Sequence, residues 1–203
     1  MDESKLLPDV PEHMPQMQNR YALGLVKFIG RALLKLAGWK VVGEFPKEKK
    51  LIIAAAPHTS NWDFILAMSA VMALGIKISY LMKKEAFFWP FKNMFMALGG
   101  IPLDRSAAED TVEQISSWYN THDKVWVVIT PEGTRSKVDK WKTGFLRVAE
   151  KANVPVMLVA WDYPSKTMHL DKIWQTTGDY YRDIDQMREY INSRYTAKHP
   201  DKQ

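Results

Sequence analysis

His58 stands five residues before Asp63 in the stretch LIIAAAPHTSNWDF, residues 51 to 64. An imidazole that donates one ring N–H to a carboxylate is fixed in a single tautomer, and its other nitrogen is left as a base able to take a proton from a hydroxyl. This spacing serves only if the chain doubles back between the two residues. The apolar run Leu51 to Ala56 stops at Pro57, Ser60 and Asn61 are good helix N-caps, and FILAMSAVMAL follows, so the stretch reads as strand, tight loop, helix. His58 then lies in the loop and Asp63 in the first turn of the helix.

Two further stretches place arginines at the ends of predicted strands. Arg105 closes GGIPLDR (99 to 105), and Arg135 follows Glu132, Gly133 and Thr134 in PEGTRS (131 to 136). Glycine turns let backbone approach a ligand closely, and a guanidinium fork matches phosphate oxygens two at a time. Taken singly, each also has a plain structural reading: Arg105 as a partner of Asp104 or Glu109, and Glu132-Gly133 as an ordinary turn. The chain has no cysteine, which removes a thiol nucleophile, a disulfide scaffold and every Cys-based metal site. No second histidine lies within helical or hairpin reach of His58, so no metal site is expected.

The elements that position these residues belong to one domain. The chain has 203 residues, 46% hydrophobic and 12% aromatic, enough for a full core. Its net charge of +5 favours acidic partners such as anionic lipid surfaces or acidic carrier proteins. Lys47, Lys49 and Lys50 form only a short solvated cluster, and nucleic acid is not an expected partner. Residues 1 to 16 carry Asp2, Glu3, Asp9 and Glu12 against Lys5, with three prolines, and read as a loosely ordered arm with no signal-peptide start.

Residues 17 to 39 read as an amphipathic helix. At about 100° per residue, Arg20, Lys27, Arg31 and Lys35 fall within about 80° of its circumference, and most of the rest is apolar or small. A membrane-spanning helix would not carry such charges mid-span, whereas an in-plane interfacial helix would, with Phe28, Leu33, Leu36 and Trp39 entering the lipid. A helix packed on the core with its basic stripe in solvent has the same periodicity.

Beyond it, strands are expected at 39–44, 51–56, 76–82, 124–130, 154–161 and briefly around Met168. Helices are expected at about 62–74, 107–119, 143–152 and 184–195. This alternation predicts a single α/β domain over 40–203, a mixed β-sheet flanked by helices. The aromatic-rich stretch KKEAFFWPFKNMFMALGG (83 to 100) fits an acyl-chain pocket, a membrane-dipping loop or ordinary core.

HTSNWD, GGIPLDR, PEGTRS and VPVMLVA, in that order, resemble the four blocks of the 1-acylglycerol-3-phosphate acyltransferase family, over about residues 50 to 162. The resemblance implies transfer of a fatty acyl group from a thioester, acyl-CoA or acyl carrier protein, to the hydroxyl of a lysolipid, with lysophosphatidic acid the first candidate, in phospholipid biosynthesis. It implies His58 as general base, Asp63 as its orienter, and Arg105 with Glu132, Gly133, Thr134 and Arg135 as the acceptor's phosphate site. It implies no cofactor or metal, and a peripheral enzyme on the cytoplasmic side of a membrane. Absence of a thiol and of a G-x-S-x-G elbow fits direct attack by the acceptor hydroxyl. The chain departs from the family pattern at Pro57, Pro102 and Leu158, positions the resemblance places around the acceptor. Acylation of a non-phosphate lysolipid, a catalytically idle lipid-surface protein and a hydrolase using the same pair are the competing readings.

Overall fold

A computed structural model describes residues 6–15, 17, 20–90, 92–97, 99–103 and 108–203. Strand β2 (Lys50–Ala56) is apolar and buried from Leu51 onward because both of its faces are covered. Alternate side chains point to opposite sides of a sheet, so Leu51, Ile53 and Ala55 enter one core and Ile52, Ala54 and Ala56 the other. The first core is roofed by α1 (Arg20–Ala37) and α2 (Asn61–Leu74), through Leu34, Leu66 and Val71 among others. After the short α3 (Lys92–Ala97), the second core is closed by α4 (Ala108–Thr121), α5 (Gly144–Ala152) and α6 (Tyr180–Asn192), through Ile115, Phe145, Leu146 and Met187. The result is a three-layer α/β domain, as the alternation of elements predicts.

Among the described residues the sheet has seven strands in the order β1-β7-β6-β2-β5-β3-β4. These are β1 (Lys40–Gly43), β3 (Ser79–Lys83), β4 (Gly100–Leu103), β5 (Val125–Ile129), β6 (Val156–Asp162) and β7 (Thr167–Trp174), with β2 at the centre. Neighbours run parallel except β6 and β7, which are antiparallel, so the sheet is mixed. From β2 the chain crosses to β3 on one side, and from β5 it crosses back to β6 on the other. The C-terminal end of β2 is therefore a topological switch point, where open α/β sheets leave a crevice. β5 and β3 are paired only at Ser79–Val127 and Tyr80–Val128, so the sheet parts beyond those two rungs.

Helix α1 settles against α2 because Gly30 has no side chain. A Cβ there would stand 2.3 Å from the Ala73 amide nitrogen and 2.6 Å from the Ser69 carbonyl oxygen. Gly30 and Leu34 face α2, while Leu25, Phe28, Ile29, Leu33 and Leu36 are exposed on the far side. The core-packed and open apolar faces thus occupy opposite sides of one helix, with Lys27, Arg31 and Lys35 along the boundary between them. Trp39 corrects the expectation of lipid contact. α1 ends at Ala37, the chain turns at Gly38, and the Trp39 indole goes inside at 5% exposure.

Of the arm expected over residues 1–16, residues 6–15 lie against the domain. Val41 N–H donates to Leu6 C=O at 3.0 Å, Lys77 N–H donates to Pro15 C=O at 2.8 Å, and Met14 is buried. β4, with Pro102 in it, is an edge strand, a place where a missing N–H is tolerated. Strand β7 is longer than the short strand expected around Met168, and α6 begins earlier than expected, at Tyr180 behind the N-cap Asp179. Among the described residues no helix is long and apolar enough to cross a membrane.

Candidate active site

The loop after β2 is built from its own sequence. Ser60 caps α2, its Oγ accepting from Trp62 N–H at 3.2 Å. Asp63, one turn in, reaches back and accepts from the Thr59 and Ser60 amides at 2.9 and 2.8 Å, completing a capping box. The same carboxylate oxygen, Oδ2, lies 3.1 Å from His58 Nδ1. The expected pairing of His58 with Asp63 is therefore a by-product of helix capping: the residue that closes the helix start also aims the imidazole.

Asp63 is fully buried, at 0% exposure. Burial pushes its carboxyl up, but hydrogen bonds from His58, Tyr163 and the Ser60 amide, with the attraction of His58, outweigh it and hold the carboxyl below its usual range. An ionised carboxylate only accepts, so Nδ1 is the nitrogen that donates to it and Nε2 is the nitrogen left to act as base. Among the described residues Nε2 has no hydrogen-bond partner.

Glu132 holds His58 from behind. Its Oε1 accepts from the His58 backbone N–H at 2.9 Å, and Oε2 is buried without a hydrogen-bond partner among the described residues. Burial raises its carboxyl to about 7. Glu132 thus serves the His58 loop and is absent from the wall of the large cavity beside it. Gly133, at φ +66°, leaves room for the Lys142 side chain: a Cβ would stand 2.8 Å from Lys142 Cε. Thr134 is exposed, and its Oγ1 accepts from Ser136 N–H at 3.3 Å within the turn. Gly133 and Arg135 line the cavity. Arg105 lies outside the described residues.

That cavity has a volume of about 1210 Å³. His58 and Asn61 stand at one part of its wall. Phe64, Ile65 and Ala67 of α2, Leu81 of β3, Ile115 of α4, Ile129 of β5 and Phe145 and Val148 of α5 supply apolar surface. Leu81 of β3 and Ile129 of β5, just past the last paired rung of those strands, both line it, as do side chains from both layers of helices. Arg135, Lys142 and Arg147 add three cations, none with a carboxylate partner among the described residues. Phe64 and Ile65 are also exposed to solvent, so the cavity opens onto an apolar surface. Among the described residues of the aromatic stretch, none lines the cavity; Phe88, Trp89 and Met96 stand exposed.

Lys142 and Tyr163 are site residues that sequence reasoning missed. Lys142 follows the PEGTRS turn, and only the backbone bond from its N–H to Pro131 C=O, 2.9 Å, brings it onto Gly133. Tyr163 lies 100 positions from Asp63, and no local pattern marks it. The Trp161 ring, near the end of β6, lies 6.0 Å from the His58 ring. No group of three or more histidines and carboxylates among the described residues is placed to hold a metal ion.

A three-layer α/β domain with a His–Asp pair at its switch point, beside a long apolar cavity with a cationic wall, has the parts of an acyl-handling domain. The chain belongs to the Acyltransferase family, whose model matches residues 39–161. It is 36% identical over 100 residues to 1-acyl-sn-glycerol-3-phosphate acyltransferase epsilon of Mus musculus, a match spanning 46% of this chain and 27% of that protein. The fold is similar to the crystal structure of the 1-acyl-sn-glycerophosphate (LPA) acyltransferase PlsC from Thermotoga maritima. That likeness has a TM-score of 0.57 at 19% identity and covers 88% of this chain and 83% of the other.

Proposed function

We propose that the protein transfers a fatty acyl group from a thioester donor, acyl-CoA or acyl carrier protein, to the hydroxyl of a membrane lysolipid. The observation that carries the reading is the buried, ionised Asp63 holding His58 Nδ1–H beside an apolar cavity of about 1210 Å³. This exceeds the roughly 300–1,000 Å³ of sites for drug-sized ligands, and a long acyl chain accounts for the excess.

In this reading His58 Nε2 takes the proton of the acceptor hydroxyl as its oxygen attacks the thioester carbonyl carbon. The new C–O bond forms, the C–S bond breaks, and the imidazolium returns the proton to the leaving thiolate. Asp63 stays ionised throughout and stabilises the imidazolium. The acceptor is lysophosphatidic acid, its phosphate meeting Arg135 and Lys142, with Arg105 as a further phosphate ligand. Two cations without a carboxylate partner among the described residues, beside a glycine turn, suit a phosphate monoester better than a neutral hydroxyl.

The lysolipid is met at an anionic membrane surface on the cytoplasmic side, with the protein bound peripherally. Phe28, Leu36 and Trp89 are 69%, 86% and 89% exposed. Such apolar side chains, with the basic edge of α1, fit a lipid interface rather than water. Purified protein assayed with acyl-CoA and acyl carrier protein donors against a panel of lysolipids tests the reading. Acylated lysophosphatidic acid is the expected product. Free fatty acid without acceptor would mean a hydrolase, equal use of monoacylglycerol a non-phosphate acceptor, and no turnover an idle surface protein.

A further inference from the structure

Asp63 receives four hydrogen bonds, and they are unevenly shared. Oδ2 accepts from His58 Nδ1–H and the Thr59 and Ser60 amides. Oδ1 accepts, among the described residues, only from the Tyr163 hydroxyl, at 2.5 Å. Since Asp63 is wholly buried, no solvent can substitute for that hydroxyl.

The tyrosine is itself held in place from three directions. It lies in the turn joining β6 to β7, its backbone N–H donates to Thr196 C=O at 3.0 Å, and its ring meets Trp39 edge-on at 4.9 Å. Thr196 N–H in turn donates to Asp162 Oδ1 at 3.1 Å, tying the C-terminal segment to the same turn. A hydroxyl fixed this firmly against one oxygen stops the carboxylate from rotating about its own axis, which would carry Oδ2 away from the imidazole.

We propose that Tyr163 is a positioning residue for the His58–Asp63 pair: its hydroxyl fixes the Asp63 carboxylate plane and so sets the aim of the dyad. Tyr163 does not line the cavity. The inference rests on the acyl-transfer reading of His58, and it adds a residue outside the four sequence blocks.

Tyr163→Phe keeps the ring against Trp39 and removes only the hydroxyl. The expected result is a kcat lower by about 10- to 100-fold, the scale of one hydrogen bond to a charged group, with KM for both substrates little changed. The acidic limb of the pH–rate profile moves to higher pH, because the carboxylate has lost a bond that favoured its ionised form. A fluorotyrosine placed at 163 retains the shape with a stronger donor, and its acidic limb moves to lower pH. His58→Ala run in the same assay separates two failures. An active His58→Ala protein overturns the acyl-transfer reading itself. An inactive one, beside a Tyr163→Phe protein with wild-type kcat and an unmoved limb, overturns only the role of Tyr163. So does a Tyr163→Phe protein whose melting temperature falls while its pH profile stays in place, since that marks a merely structural bond.

Discussion

The backbone N–H of His58 and the carboxylate Oε1 of Glu132 lie 2.9 Å apart, so the turn after β5 grips the loop after β2. Neither residue's local sequence announces this bond, which spans 74 positions. Glu132→Ala removes the acceptor and leaves a buried N–H unsatisfied, an expected loss of about 1–3 kcal/mol in chemical denaturation. Acyl transfer should fall with it, because His58 loses its support.

Glu132 also makes a pH prediction. Its carboxyl rises from an ordinary 4.5 to about 7 on folding, so between those values the folded chain holds a proton that the unfolded chain has released. The contribution is fully present below about 4.5 and is lost as pH rises through 7. Glu132→Gln abolishes this dependence while keeping an amide oxygen for His58. Relative to wild type, the Gln variant should gain on the order of 2–4 kcal/mol between pH 4.5 and pH 8, as read from denaturant midpoints. Asp63 does not obscure the result, because its lowered carboxyl contributes above its ordinary value of 3.8 and fails only as pH falls below that. A gap between the variants that stays flat with pH would refute the buried-proton assignment.

His58→Ala should cost about 10² to 10⁴ in acyl-transfer rate, with circular dichroism unchanged, since a loop side chain is removed and the α2 cap remains. Asp63→Asn should lose activity severely as well, because an amide can donate to Nδ1 and impose the wrong tautomer. It should also melt lower, because Oδ2 ends the capping box as well as aiming the imidazole.

The two sides of α1 should separate on mutation. Phe28→Ser with Leu36→Ser should weaken sedimentation with anionic vesicles and leave thermal stability near wild type, because both side chains are exposed. Arg31→Gln should weaken it by about 1 kcal/mol, read as a shift in the lipid concentration at half-binding. Leu34→Ala, on the buried side, should instead cost about 2–5 kcal/mol of stability. Equal vesicle binding by wild type and the double serine variant would remove the membrane face from α1.

Arg135→Lys keeps the charge and loses the fork, and should raise KM for a phosphate-bearing lysolipid more than for the donor. Lys142→Gln should act in the same direction. If both variants handle lysophosphatidic acid like wild type, the cations face something other than the acceptor phosphate.

The His58–Asp63 segment was legible because its determinants are local: an apolar strand, a proline, an N-cap and a first-turn acid within 14 residues, 51 to 64. The α/β alternation was legible for the same reason, since each core-facing pattern repeats within its own element. For α1 the periodicity left the core-packed and interfacial readings open. Gly30 and Leu34 place one face on α2, and the opposite apolar arc is left exposed, which only the position of α2 reveals. The full length of β7 was hidden because its middle, His169 to Lys172, is polar or half-buried and is held by pairing with β1 and β6. Tyr163, Lys142 and the grip of Glu132 on His58 depend on long-range packing that no spacing encodes.

The meagre pairing of β3 with β5 bears on how the domain breathes. Strands β3 and β4 are joined to each other at four positions, but only two rungs, at Val127 and Val128, link them to the rest of the sheet. Opening local to that pair would disturb the two main cores at Tyr80 and Leu81 and leave the β2 side chains covered, so amide protons of β3 and β4 should exchange with solvent deuterium well before those of β2. A fatty chain bridging the gap would span the seam as an added rung spans a ladder, and protection of Tyr80 and Leu81 would report its arrival.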